Sequence, residues 1–412
     1  MKKHLFFNFK NRRNCNFLLS GVQKSGFSFF LAIFSFFPLF VSCFGSCGMY
    51  PDEKLDGSSL SLASWNVQAL FDGVDEGVEY DEYRAASGWN EEKYKSRLTL
   101  ISDAATGVYE NGPDVLALIE VENSLVLDAL ANDGLKKSKY YYKFFAGHPG
   151  YSLGVGVLSR YKITKQAVHS LNNKGRILPR PIAEVWIEAG SKPIALFICH
   201  WKSKLGGEEG TEELRREAAS VVLRRYREIQ SEYPGAPVLV LGDLNENYDE
   251  FYRRGAEAVC ALMPDDPDAA REAGFLYEEQ EEDDASEDAE GGGALKNNSG
   301  VVFVKESPKD FLIVSSEKPP RSRYFPYSEA VFYSPWSEEL ENGSYFYGGW
   351  ETIDHFLLSP GFWSSGEWNF ESAAVLNVEP FVNSKGEPAS YNPRSGAGLS
   401  DHLPLLLLLK KE

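Results

Sequence analysis

The feature that most constrains this chain is an apolar run that stops abruptly on polar residues. Val238–Leu241 is a block of four apolar residues, and Gly242, Asp243, Asn245, Glu246 and Asn247 follow it. A short continuous apolar run reads as a strand buried on both faces. An acid and an amide two residues apart at its end project to the same side. Asp and Asn after a strand are also ordinary turn residues, so this stretch taken alone reads first as a turn. The pattern recurs, however. Leu60–Trp65 runs into Asn66, Val115–Ile119 into Glu120, and the run ending at Cys199 into His200. Strands that each deliver a polar residue at their end gather polar groups along one edge of a sheet core.

The connecting segments fit that plan. Tyr94, Leu98, Ile101, Ala105 and Val108 recur at helical spacing, with Asn90 placed to cap the start and Gly112-Pro113 to break the end. Residues 140–199 read as several strands, and a charged helix over about 211–232 leads into the central strand. Near the end, TIDHFLLS reads as another strand, and LSDHLPLLLLL sets Asp401 and His402 immediately before a fully apolar closing strand. No internal repeat is visible.

Residues 1–43 have the layout of an export signal: a basic head, then the apolar run Phe27–Val41, too short for a comfortable membrane span. Val41-Ser42-Cys43 places small residues before a cysteine, as at a bacterial lipoprotein processing site, so Cys43 is the expected lipid anchor point, with Cys47 as its competitor. A plain secretory signal or an uncleaved anchor is the alternative. Residues 44–59 read as a polar tether and 60–412 as one domain, with an acidic insertion at about 264–300. Within that insertion, 278–290 carries nine acids and no base before three glycines, and reads as a solvated, disordered run. The first 43 residues hold six of the chain's 42 Lys and Arg and none of its 60 acids, so the remainder has a net charge of −24. Such a surface works against non-specific DNA binding unless basic groups are gathered locally. Cysteine spacing points to neither a zinc site nor a disulfide framework, and Cys199 reads as a small buried hydrophobe.

The ordered set WNVQ, DVLALIEVEN, CHWKSK, GDLNE, IDHFLLS and LSDHLP resembles the endonuclease/exonuclease/phosphatase superfamily over about residues 60–409, and looks most like its secreted bacterial members. The superfamily includes DNase I-like nucleases, abasic-site endonucleases, inositol-phosphate phosphatases and sphingomyelinases. The resemblance implies an α+β fold: a four-layer α/β/β/α sandwich of two mixed β-sheets flanked by helices. It implies that Asn66 and Glu120 hold a divalent metal, joined by Asp401. Hard oxygen ligands suit Mg²⁺, with Mn²⁺ or Ca²⁺ as alternatives. Asp243 and Asn245 would contact the phosphate and the attacking water, Asp354 would orient His402, and His200 would flank the phosphate. Arg180 and Lys202 are candidates for phosphate contact.

Those residue types meet the chemical need, because a phosphodiester requires charge neutralisation, activation of water and protonation of the leaving oxygen. Either an imidazole or Asp243 could take the proton from water. Two points depart from the pattern. Ile119 stands where many relatives have Gln, and Glu122 shares a strand face with Glu120, leaving two acids for one ligand position. No carboxylate partner for His200 is evident. His148 and His169 lack acidic neighbours in sequence and read as structural, and Trp201 reads as core. The expected activity is that of an exported, metal-dependent phosphodiesterase, of endonuclease type on nucleic acid. The alternatives are a phosphoesterase for a lipid headgroup or small phosphate ester, and a non-catalytic surface lipoprotein. No protein partner is inferred.

Overall fold

The computed structural model describes residues 57–109, 111–278, 295–296, 301–304, 307–326, 328, 330–364 and 367–411. The export signal, Cys43 and nearly all of the acidic run lie outside the described residues.

Fourteen strands form two mixed sheets. In chain order they are β1 (Ser59–Leu70), β2 (Val115–Val121), β3 (Tyr142–Ala146), β4 (Gly154–Ser159), β5 (Ile163–His169), β6 (Ile182–Ile187), β7 (Ile194–His200), β8 (Val238–Asp243), β9 (Leu262–Pro264), β10 (Leu312–Ser315), β11 (Val331–Tyr333), β12 (Asp354–Leu358), β13 (Trp368–Val375) and β14 (Leu405–Lys411). The first sheet has the order β13-β14-β1-β2-β4-β3, and the second β9-β10-β11-β12-β8-β7-β6-β5. The main helices are α1 (Glu91–Val108), α2 (Ser124–Ala129) and α3 (Glu208–Glu232).

Alternation along each strand sorts the side chains into layers. In β1, Leu60 and Leu62 enter the core between the sheets, while Ala63, Trp65 and Val67 face the core under α1 and α2. In β7, Ile194, Leu196 and Ile198 face between the sheets, while Ala195, Phe197 and Cys199 pack under α3. β8 divides in the same way, with Leu239 and Leu241 inward and Val238 and Val240 toward α3. Every buried strand therefore has two apolar faces, which is why these runs read as continuous rather than alternating. The result is the four-layer α/β/β/α sandwich of the DNase I-like fold.

Helix α1 starts where its cap dictates, with Asn90 accepting hydrogen bonds from the Glu92 and Lys93 amides at 3.0 and 3.1 Å. Residues 264–278, at the start of the acidic insertion, are folded. Asp266 caps the short helix Pro267–Glu272 through the Ala269 amide, and Phe275, Phe311 and Phe325 form a ring cluster with centroids 5.4 to 6.0 Å apart. That satellite core covers the β9 end of the second sheet.

Candidate active site

Parity explains how the site assembles. Asn66, His200, Asp243 and Asp354 each continue the row of side chains that faces between the sheets, at the end where the apolar residues run out. The cluster is therefore the polar extension of the inter-sheet core. β7 and β8 run parallel, aligning His200 with Asp243, and antiparallel β12 aligns Asp354 with Asp243 on the other side. Gly242 makes the close approach possible. Its φ is +122°, and a Cβ there would lie 2.1 Å from the Cys199 carbonyl oxygen.

Hydrogen bonds tie these groups into two sets that face each other across the cleft. Asn66 Nδ2 donates to Asp243 Oδ2 at 3.0 Å, and the Asn245 amide donates to Asp243 Oδ1 at 2.9 Å. His402 Nδ1 donates to Asp354 Oδ2 at 2.8 Å, and Ser344 Oγ donates to the same oxygen at 2.7 Å. The second oxygen of Asp354 is buried with no partner. His402 Nε2 then faces Asp243 Oδ2 at 3.9 Å. His200 Nε2 lies 3.6 Å from Asp243 Oδ2 and 3.7 Å from Glu120 Oε1, so it stands between two acids without a close hydrogen bond to either. The Trp65 indole donates to the His402 carbonyl at 3.2 Å, and Ser400 Oγ to the Asn66 carbonyl at 2.6 Å, which locks β1 to the segment before β14.

Glu120 reaches the cluster by a different route. Its position on β2 would point it toward the helices, but its φ is +68° and the β2 register breaks between Ile119 and Val121. Simple strand alternation therefore does not put Glu120 and Glu122 on one face. Glu120 Oε2 accepts from the Ala69 amide at 2.8 Å, whereas Glu122 Oε2 accepts from the Asp72 amide at 2.6 Å. Of these two acids, Glu120 is the one that faces His200, at 3.7 Å. Gln68, Ala69, Glu120 and Asn245 all adopt left-handed backbone, four of the nine such non-glycine residues among the described ones. Strained backbone of this kind costs roughly 1–3 kcal/mol per residue and gathers at functional sites.

The buried groups differ in charge. Burial pushes Asp243 up to about 7, against the pull of His402. Burial also raises Glu120, with nearby Arg180 opposing and Asp401 adding to the rise. His402 moves the other way from its surroundings: burial disfavours its charged form, but the charge and hydrogen bond of Asp354, with Asp243, push it up to about 10. His200 is held well below the ordinary imidazole value by burial, then by Arg180 and His402. At neutral pH the site thus pairs a cationic His402 with a neutral His200. Asn66, Glu120 and Asp401 are oxygen donors of the kind a hard divalent cation takes.

The other expected contacts are placed less directly. Arg180 acts on Glu120, His200 and Asp243 through its charge, and its Nη1 donates to the Trp201 carbonyl at 2.6 Å. Asn245 Nδ2 donates to that same carbonyl at 3.2 Å. The Lys202 ammonium is drawn into its own loop, donating to the Ser203 and Leu205 carbonyls at 2.9 Å each. Trp201 is buried under α3. Tyr345 and Ser344 were not anticipated. The Tyr345 ring packs on His402 at 4.6 Å between centroids, and Ser344 completes the Asp354 contacts. Both lie in the aromatic stretch SYFYGGW, where nothing in the spacing marked them.

The layering, together with carboxylates, amides and imidazoles gathered at one sheet edge, is the arrangement of the DNase I-like fold. Residues 61–261 match the model of the endonuclease/exonuclease/phosphatase family, and that segment is of this family, as the motifs implied. No curated protein matches the sequence. Similar solved structures include TDP2 from C. elegans, at 16% identity and TM-score 0.43, covering 87% of this chain and 77% of that one. The human Nocturnin catalytic domain with bound sulfate matches at 14% identity and TM-score 0.44, covering 86% and 94%. An endonuclease/exonuclease/phosphatase family protein from Bacteroides thetaiotaomicron matches at 15% and 0.43, covering 85% and 95%.

Proposed function

We propose that the protein is an exported, metal-dependent phosphodiesterase that cleaves nucleic acid in the manner of an endonuclease. The observation that carries the reading is the Asp354–His402 hydrogen bond that sets His402 Nε2 3.9 Å from Asp243, with Asn66 hydrogen-bonded to Asp243. Asp243, with its value near neutrality, takes the proton from the attacking water. His402 is held cationic by Asp354 and stabilises the developing negative charge on phosphorus-bound oxygen. His200, neutral and between Glu120 and Asp243, donates a hydrogen bond to the phosphate from the other side. Arg180 adds positive charge at the same rim. A divalent cation, for which Mg²⁺ is the first choice, would be held by Asn66, Glu120 and Asp401 and would supply further charge neutralisation.

The net charge of −24 beyond residue 43 favours a second reading of the same chemistry, hydrolysis of a lipid headgroup or small phosphate ester. Assay of the purified chain from residue 44 onward with Mg²⁺ on plasmid DNA, sphingomyelin and inositol phosphates separates the two. Cleavage of DNA alone supports the endonuclease reading, and cleavage of only a lipid or inositol ester replaces it. Export and anchoring rest on residues 1–43, and labelling of the wild-type chain by fatty acid, lost on Cys43→Ala, is the expected result for a lipid anchor.

A further inference from the structure

Asp243 and Asn245 sit on a turn of unusual backbone, with φ +122° at Gly242 and +50° at Asn245. Such a turn has to be held from outside, and among the contacts around it those of Glu246 reach deepest into the fold. Glu246 is fully buried, and its Oε2 accepts a 2.5 Å hydrogen bond from Nε of Arg215, which is also fully buried in α3. Arg215 Nη2 donates in turn to Glu212 Oε2 at 2.6 Å, and Arg254 Nη1 reaches the same oxygen at 3.2 Å. The Ala261 amide closes the network, donating to Glu212 Oε1 at 2.8 Å and Glu246 Oε1 at 3.2 Å. On its main-chain side Glu246 meets the other half of the site. Its carbonyl accepts from His355 Nε2 at 2.8 Å, and His355 is the immediate neighbour of Asp354.

Glu212, Glu246 and Cys260 bring three ligand-type atoms within 4.8 Å of one another, an arrangement that could hold a cation. The two guanidiniums already balance the two carboxylates, and the carboxylate oxygens that face them are taken by Arg215, Arg254 and Ala261. The network is built to hold protein, not an ion.

We propose that Arg215 and Glu246 are positioning residues that hold the Asp243–Asn245 turn in register with Asp354 and His402. In catalytic terms this rests on the phosphodiesterase reading, but the positioning itself can be measured without substrate. A buried ion pair contributes little net stability when both partners can be replaced by apolar groups of similar volume. Stability and positioning can therefore be separated in one variant. Arg215→Met combined with Glu246→Leu leaves Glu212 paired with Arg254 and Ala261, and is expected to melt close to wild type. Amide exchange at Leu244–Asn247 is expected to rise at least about tenfold while α3 stays protected. On bis(p-nitrophenyl) phosphate, kcat is expected to fall roughly 10- to 100-fold with KM little changed, because small displacements of reacting groups are costly. A purely structural role predicts activity that follows the melting temperature, and so wild-type kcat in this variant. If the double variant does not fold, Glu246→Asp keeps the charge, shortens the reach by one methylene and is read the same way. Unchanged exchange, or raised exchange with wild-type kcat, overturns the proposal. If the wild type itself hydrolyses no phosphodiester, the functional reading fails, and the exchange result still decides whether the turn is held from α3.

Discussion

Near the β5 edge of the second sheet, Glu184 meets an imidazole and a guanidinium, as the acids of the cleft do, yet its surroundings are arranged to the opposite end. Its two oxygens receive four close partners: His169 Nε2 at 2.6 Å, Trp186 Nε1 at 2.8 Å, and Arg225 Nε and Nη2 at 3.0 and 3.1 Å. Burial alone would push Glu184 up, but the bonds from His169, Arg225 and Trp186 outweigh it and bring the carboxyl down to about 2. In the cleft, Asp354 keeps one buried oxygen without a partner, while Asp243 and Glu120 are displaced upward. The Glu184 cluster is saturated, and saturation makes it a brace. The cleft is left incomplete, and groups whose charge is not settled by their neighbours are the ones able to exchange protons with a substrate.

The sharpest way to break this contrast is to remove one member of each cluster. His402→Ala should slow phosphodiester hydrolysis by roughly 10²–10³-fold, the range for losing a group that stabilises developing charge, with little change in a thermal melt. Wild-type turnover in that variant would end the mechanism. Glu120→Gln should shift the Mg²⁺ midpoint of activity upward, since it removes ligand charge and nearly keeps shape. A Mg²⁺ titration unaltered by the change would move the ligand role to another residue, with Glu122 the first to test. Glu184→Leu should do the reverse of His402→Ala, costing about 1.5–3 kcal/mol of stability, the scale of hydrogen bonds to a charged group, while activity per folded molecule is unchanged. A urea titration alongside the assay reads both quantities.

The same brace makes a prediction in pH. The Glu184 carboxyl is lowered from an ordinary 4.5 to about 2 in the folded protein, so its contribution to stability is present above pH 4.5 and is lost as pH falls toward 2. The urea midpoints of wild type and Glu184→Gln should therefore converge over that window. A gap that stays constant down to pH 2 would show that the carboxylate's charge is not what stabilises. The smallest effect is expected at Lys202. Its ammonium is spent on loop carbonyls, so Lys202→Ala should change kcat/KM by no more than about twofold, in line with substitutions away from key contacts. A loss comparable to that of Arg180→Ala would show that the loop opens to deliver Lys202 to the phosphate.

Much of the site could be read in the sequence because of parity. Wherever an apolar run ends on the inter-sheet side, as at Asn66, His200 and Asp243, the next residue of the same parity enters the cleft. Glu120 breaks that rule, since its left-handed backbone is a property of the folded chain that no spacing announces. Ser344 and Tyr345 were illegible for another reason: they reach Asp354 and His402 from a segment with neither strand nor helix periodicity. His169 has no acidic neighbour in sequence, and its partner Glu184 lies diagonally across the β5–β6 pair, where Ala167 is the residue directly opposite. How 264–278 packs could not be read locally, because its core is completed by Phe311 and Phe325, far along the chain.

The pairing of β1 carries a consequence for synthesis. Leu62 lies between Val115 on one side and Leu407 on the other, so the first strand waits for the last. At about 5–20 residues per second, a growing chain would hold β1 with one open, apolar-flanked edge for tens of seconds after β2 has emerged. Asn66 would be in place long before the His402 it works beside. A ribosome-bound chain paused before residue 405 should therefore be inert and prone to recruit a stray strand at that edge, and both properties should disappear together when the closing leucines arrive.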